Sequence, residues 1–225
     1  MVFKSHVNQS HVNEQSAMMN VSPRRLGIFG GTFDPVHYAH LLLAETCREQ
    51  CQLDEVWLLP AALPPHKLQH KATTAQHRLE MLELAIGGHD HLRASRLEID
   101  RGGISYTAET LNTIHLQFPQ TELFLLMGAD SLEDLPNWRE PELICRLAIP
   151  VAVGRAGLPR PSLQRLRHLV DADRLALFER YQVSMPIIGL ASTDLRNRVA
   201  NGQSIRYRTP RAVEMYIEAH GLYRD

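Results

Sequence analysis

The chain has 225 residues, 44% hydrophobic and 22% charged, which fits one folded α/β domain with its own core and excludes a disordered or fibrous chain. Lys and Arg total 24 against 25 Asp and Glu, a formal net charge of -1, so no bulk electrostatic grip on nucleic acid or an anionic membrane is expected. No apolar run reaches the roughly 20 residues of a membrane span, and residues 1–20 lack the apolar stretch of a secretion signal.

Residues 1–23 read as a mobile polar extension and 24–225 as the folded domain. Leu26–Phe29 is a short apolar run that stops at Gly30-Gly31, as a buried strand entering a turn does. A helix is expected over His40–Gln50, a strand over Glu55–Leu59 and a loop over Ala61–Lys71, which holds Pro64-Pro65. Leu79, Leu82 and Ile86 fall at helical intervals within Thr74–Ile86. Leu92–Ile99 alternates as a strand does, Arg101–Gly103 reads as a turn, and Tyr106–Leu116 as a helix capped by Ser105 or Thr107. A strand at Glu122–Met127, a short helix at Trp138–Cys145 and a strand at Leu147–Val153 follow. Polar helical pieces occupy Leu163–Tyr181, Ile187–Leu190 is the expected last strand, and helices are expected near Thr193–Ala200 and Pro210–His220.

Strands alternate with helices throughout, which predicts a doubly wound, mostly parallel sheet in a single α/β domain. Ligands of such a fold sit beyond the carboxyl ends of the strands. The three cysteines read as reduced thiols of a cytoplasmic protein. Cys47 and Cys51 share a helix but have no second pair of metal ligands at matching spacing.

The first strand-to-helix turn, Gly30–His40, carries the chemistry. Two glycines let the backbone approach a bulky anion, and Asp34 before Pro35 favours a fixed turn. The free N–H groups of the following helix favour negative charge at that turn. His37 and His40, three apart, share a helix face beside it. No Gly-Lys-Ser/Thr closes the turn as in a P-loop, and no third glycine completes a dinucleotide fingerprint. Read alone, Lys67 is a loop lysine or a phosphate contact. Ser192 and Thr193 are an N-cap or a phosphate site, and Arg196 is a surface arginine or a forked donor. Asp130 caps a turn or binds ribose hydroxyls, and Trp138 packs in the core or stacks on a flat ring.

Gly30–His40 resembles the signature of the adenylyltransferase superfamily with a His-x-Gly-His box, here His37-Tyr38-Ala39-His40, with alanine where glycine is usual. Pro64–Lys67, His77–Met81, Ser105–Thr107, Gly128–Ser131 and Leu135–Trp138 are similar to segments of the bacterial nicotinate-nucleotide adenylyltransferases. Ser192–Arg196 resembles the second nucleotide-binding motif, with Ala191-Ser192 where two serines are usual. The tail, Tyr207–Tyr223, matches in pattern.

The resemblance implies a Rossmann-like fold and transfer of AMP from ATP to nicotinate mononucleotide, giving deamido-NAD and pyrophosphate. It assigns catalysis to His37, His40, Lys67 and Arg196, the histidines stabilising the triphosphate as it is cleaved. It assigns ATP to Gly30, Gly31, Thr32, Phe33, Gly128, Asp130, Ser192 and Thr193. It assigns the acceptor to Asp34, Ser105, Tyr106, Thr107, Trp138 and Arg155, with Asp34 shaping the turn more than acting as a base. Mg²⁺ is expected to ride on ATP with no dedicated protein site. The partners expected are small molecules, and homo-oligomer formation stays open. Nicotinamide mononucleotide or phosphopantetheine as acceptor, or a regulatory module without catalysis, are the competing readings.

Overall fold

The computed structural model describes residues 22–64, 72–155 and 161–224. The extension before Ser22 and Lys67 lie outside the described residues. Six strands form one sheet in the order β3-β2-β1-β4-β5-β6, every adjacent pair parallel. They are β1 (Arg25–Gly31), β2 (Glu55–Pro60), β3 (Leu92–Ala94), β4 (Glu122–Gly128), β5 (Ala148–Arg155) and β6 (Val183–Met185). The helices are α1 (Tyr38–Gln50), α2 (Ala75–Ile86), α3 (Leu97–Arg101), α4 (Thr107–Gln117) and α5 (Ala129–Asp134), then α6 (Pro141–Leu147), α7 (Ala172–Arg180), α8 (Ser192–Ala200) and α9 (Arg211–Ala219).

The central strands explain the core. β1 lies between β2 and β4, and β4 between β1 and β5, so neither has a free edge, and their unbroken buried stretches read as apolar runs covered on both faces. Leu26, Ile28 and Leu123–Met127 are all buried. α1 buries Ala44 and Cys47, while α2 buries Leu79, Met81, Leu82 and Ile86. The Thr74 hydroxyl caps α2 by accepting from the His77 N–H at 3.3 Å.

Four expected elements differ. Only Leu92–Ala94 pairs with β2, and Leu97–Arg101 turns into a helix, with Arg96 and Asp100 in an i,i+4 ion pair. The alternation there belongs to an edge, where three residues suffice for pairing. Ser105 and Thr107 do not cap α4, because Tyr106 is the N-cap and the Ser105 hydroxyl accepts from the Ala62 N–H at 2.9 Å. Trp138–Cys145 is not one helix: Glu140 takes φ 54 and Pro141 opens a new turn, leaving Trp138 as the cap of a 3-10 turn. Ile187–Leu190 is not a strand, although its apolar pattern suggests one. The last strand is Val183–Met185, Pro186 follows with no N–H to give a ladder, and Ile187 is exposed.

Candidate active site

The strand order reverses between β1 and β4, and a cavity of about 620 Å³ opens at their carboxyl ends. One wall is Gly30, Gly31 and Thr32 from the end of β1, and the floor takes in Met127 and Gly128 from β4. The opposite wall is Ser105, Tyr106 and Thr107 at the start of α4, with Trp138 beside them. A Cβ added to Gly30 or Gly128 would meet no protein atom within 4 Å, so both strand ends leave space for a ligand to approach the backbone. Gly31 differs, since a Cβ there would sit 2.8 Å from the Phe33 ring.

Phe33 is buried, and its ring meets Phe29 and His40 edge-on at 5.3 and 5.0 Å. Only its backbone therefore remains to face a nucleotide. The His37 and His40 rings stack at 3.7 Å and 12°. His37 is the N-cap of α1, and its backbone N–H donates to His40 Nδ1 at 3.3 Å. With Nδ1 accepting, the neutral His40 ring carries its proton on Nε2. Burial lowers the His37 pKa to about 4, so this ring is neutral at pH 7. The stacking agrees, because two unit charges about 4 Å apart cost about 4 kcal/mol at an effective dielectric of ~20. His37 Nδ1 is buried without a hydrogen-bond partner among the described residues.

The backbone of the turn is held by groups from distant segments. The Gly31 carbonyl accepts from the Ala61 N–H at 2.9 Å, and the Thr32 carbonyl from Arg78 Nη1 at 2.9 Å. Arg196 Nη1 donates to the Asp34 carbonyl at 2.7 Å, the Ser192 hydroxyl to Pro35 at 2.9 Å, and the Thr209 hydroxyl to Val36 at 2.7 Å. Arg196 Nη2 also reaches the Thr193 hydroxyl at 3.3 Å. The Asp34 carboxylate is buried and accepts from Tyr223 at 2.6 Å and from the Thr73 N–H at 3.3 Å.

Arg78 is 1% exposed and donates to the carbonyls of Thr73, Thr32, Ala61 and Ala62. Burial lowers its pKa and the Asp34 charge pushes it back up, so it stays a cation. It thus joins the turn, the segment after β2 and the start of α2.

The opposite wall is held over shorter stretches of chain. The Thr110 hydroxyl donates to the buried Glu98 carboxylate at 2.7 Å, and Arg101 Nη2 donates to the same hydroxyl at 3.1 Å. The Arg139 guanidinium lies 4.4 Å over the Tyr106 ring and pairs with Glu109. Trp138 is half-buried, lines the cavity, and donates from Nε1 to Asp134 at 3.2 Å.

Most of the residues singled out in the sequence fall into two groups. Gly30, Gly31, Thr32, Gly128, Ser105–Thr107 and Trp138 line the cavity. Asp34, His37, His40, Ser192, Thr193 and Arg196 form the bonded cluster at the turn. Asp130 is exposed in the first turn of α5 and is not part of the cavity wall, where Ser131 stands instead. The backbone of Arg155 ends β5. Arg78, Thr209, Glu98 and Arg139 were missed as individual site residues. Two of them had a signal: Arg78 lies in the His77–Met81 motif and Thr209 in the Tyr207–Tyr223 tail. Among the described residues, no group of three or more His, Cys, Asp or Glu is placed to hold a metal ion, and no helix is long and apolar enough to cross a membrane.

Residues 28–198 match the Cytidylyltransferase-like family. A Thermomicrobium roseum protein named "Probable nicotinate-nucleotide adenylyltransferase" is 46% identical over 202 residues, 89% of this chain and 92% of its own. A Thermus thermophilus protein of the same name is 42% identical over 200 residues, 89% of this chain and all of its own. Among solved structures, the fold is similar to Plasmodium falciparum nicotinic acid mononucleotide adenylyltransferase complexed with NaAD. The TM-score is 0.70 at 19% identity, covering 89% of this chain and 97% of that one. With its Rossmann-like parallel sheet and this level of identity along most of its length, the chain belongs to the nicotinate-nucleotide adenylyltransferases within the cytidylyltransferase-like family.

Proposed function

We propose that the chain transfers the AMP group of ATP to nicotinate mononucleotide, giving deamido-NAD and pyrophosphate. The observation that carries the reading is the cavity at the β1/β4 switch point, which joins a glycine-lined anion turn to a wall bearing Trp138 and the start of α4. The triphosphate lies along the turn and the N-terminus of α1, and the pyridine ring lies against Trp138. An oxygen of the mononucleotide phosphate attacks the α-phosphorus in line. One P–O bond forms as the α–β bond breaks, and pyrophosphate leaves with the electron pair.

Both reactants are anions, so the protein acts by alignment and charge stabilisation. The His37 and His40 rings and the Arg196 guanidinium supply donors, with Lys67 proposed to close from its loop. Asp34 shapes the turn: both carboxylate oxygens already accept hydrogen bonds, and an acceptor phosphate is ionised at neutral pH without a base. Mg²⁺ enters on the triphosphate as part of the substrate, held by phosphate oxygens and water, and supplies neutralising charge there.

Pyrophosphate release from ATP, measured in parallel with nicotinate mononucleotide, its amide and phosphopantetheine, tests the reading. Release with the acid at a kcat/KM well above the amide is expected. Equal use of the amide would remove the acceptor assignment, and no release with any acceptor would favour a regulatory module.

A further inference from the structure

Tyr223 has no part in the reaction as written, yet it reaches the turn that does. Its hydroxyl donates to Asp34 Oδ1 at 2.6 Å across 189 residues of sequence. Asp34 is 4% exposed, and an ionised carboxylate so buried needs donors. The other donor to it, the Thr73 N–H, is longer at 3.3 Å. Burial, with the Asp34 charge, pushes the Tyr223 phenol up, so it stays a protonated donor across the working range of pH. The backbone of Tyr223 takes φ 64, in the left-handed region that is unfavourable for a bulky residue. That strain is held at the residue whose side chain reaches the turn, where stored strain commonly marks function.

This contact is not needed to fasten α9. The Tyr216 hydroxyl donates to Glu80, so His77 Nδ1, 2.6 Å from the same oxygen, must be a donor to it. That network ties α9 to α2 without Tyr223. Asp34 is gripped at both ends, its carboxylate by Tyr223 and its carbonyl by Arg196 at 2.7 Å, and His37 stands three residues on.

We propose that Tyr223 is a positioning residue for adenylyl transfer: through Asp34 it holds the Gly30–His40 turn in the geometry that places the His37 and His40 donors. The inference rests on the proposed function and adds a residue to it. The test uses the full chain carrying Tyr223→Phe, assayed well below its measured unfolding midpoint. Misplacement of a reacting array by a fraction of an ångström to an ångström costs about tenfold to a hundredfold. We therefore expect kcat to fall about tenfold or more, with KM for nicotinate mononucleotide within about twofold of wild type.

Tyr216→Phe, which loosens α9 without touching Asp34, should lower the midpoint and keep kcat. Asp34→Asn probes the same contact from the other side if the Phe variant does not fold, and it should lose kcat as well. The double variant should be no slower than Asp34→Asn alone. Wild-type kcat in Tyr223→Phe or Asp34→Asn, or an equal kcat loss in Tyr216→Phe, overturns the positioning role. A wild-type chain inactive with all three acceptors overturns both this inference and the reading beneath it. An active wild type with an unaffected Tyr223→Phe overturns only this one.

Discussion

The two walls of the cavity are held in different ways. The turn after β1 is fixed by Arg78, Ser192, Arg196, Thr209 and Tyr223, which lie 46 to 189 residues away. The opposite wall is held over shorter stretches of chain: Thr110 to Glu98 across 12 residues, Arg101 to Thr110 across 9, Trp138 to Asp134 across 4, with Ala62 to Ser105 across 43 the longest. A phosphate array must hold its donors to within tenths of an ångström as charge develops, which favours a backbone tied from several directions. A ring-binding wall needs shape and stacking, which local contacts supply. On the proposed function, substitutions near Ser105–Arg139 should change acceptor choice at little cost to the turn.

The most severe way to break this contrast is Arg78→Met. It leaves four carbonyls without their donor, at Thr73, Thr32, Ala61 and Ala62, and removes the link between turn and α2. A loss of about 3–5 kcal/mol in urea unfolding is expected, on the scale of breaking a buried charged network. Next is acid. The folded His37 pKa, about 4, lies below its unfolded value of 6.5, so the unfolded chain binds more protons in that interval. His37 then adds a stability that is full above pH 6.5 and lost as pH falls towards 4, about 3 kcal/mol in all. Unfolding curves from pH 7 to 4 should show this slope, and His37→Gln should flatten it.

His40→Ala should lower kcat by ~10²-fold, about 2.7 kcal/mol, the scale for losing one charge-stabilising donor. A variant with near-normal turnover would remove that role. Trp138→Ala should weaken nicotinate mononucleotide about tenfold through lost stacking, and calorimetry should find ATP affinity within about twofold. Equal loss of both ligands would mean that the acceptor wall is not local after all.

The same contrast explains what the sequence made legible. Gly30-Gly31, Asp34-Pro35 and the paired histidines announce an anion turn because strand end, glycine and proline act over a few residues. The strand and helix order is also local, and it leads to the parallel sheet. The braces of the turn are not legible, because no spacing rule links Asp34 to Tyr223 or Val36 to Thr209. Structure departs from local pattern where an edge or a proline competes with it. The alternation of Leu92–Ile99 outran the three residues that pair, and the apolar Ile187-Ile188 passed for a strand after Pro186. Trp138 was seen as ring-binding, but its separation from the helix at Pro141 depends on the left-handed Glu140.

The docking of α9 has a consequence for how the protein fails. Segments that open independently of the core do so at a lower free energy than global unfolding. Residues 208–224, α9 among them, lie outside the six-stranded sheet and touch the turn through Arg208, Thr209 and Tyr223. Detachment of this unit would leave the sheet intact and the turn unbraced. Inactivation should then precede loss of secondary structure in a denaturant titration, and the amides of α9 should exchange with solvent sooner than those of β1 and β4.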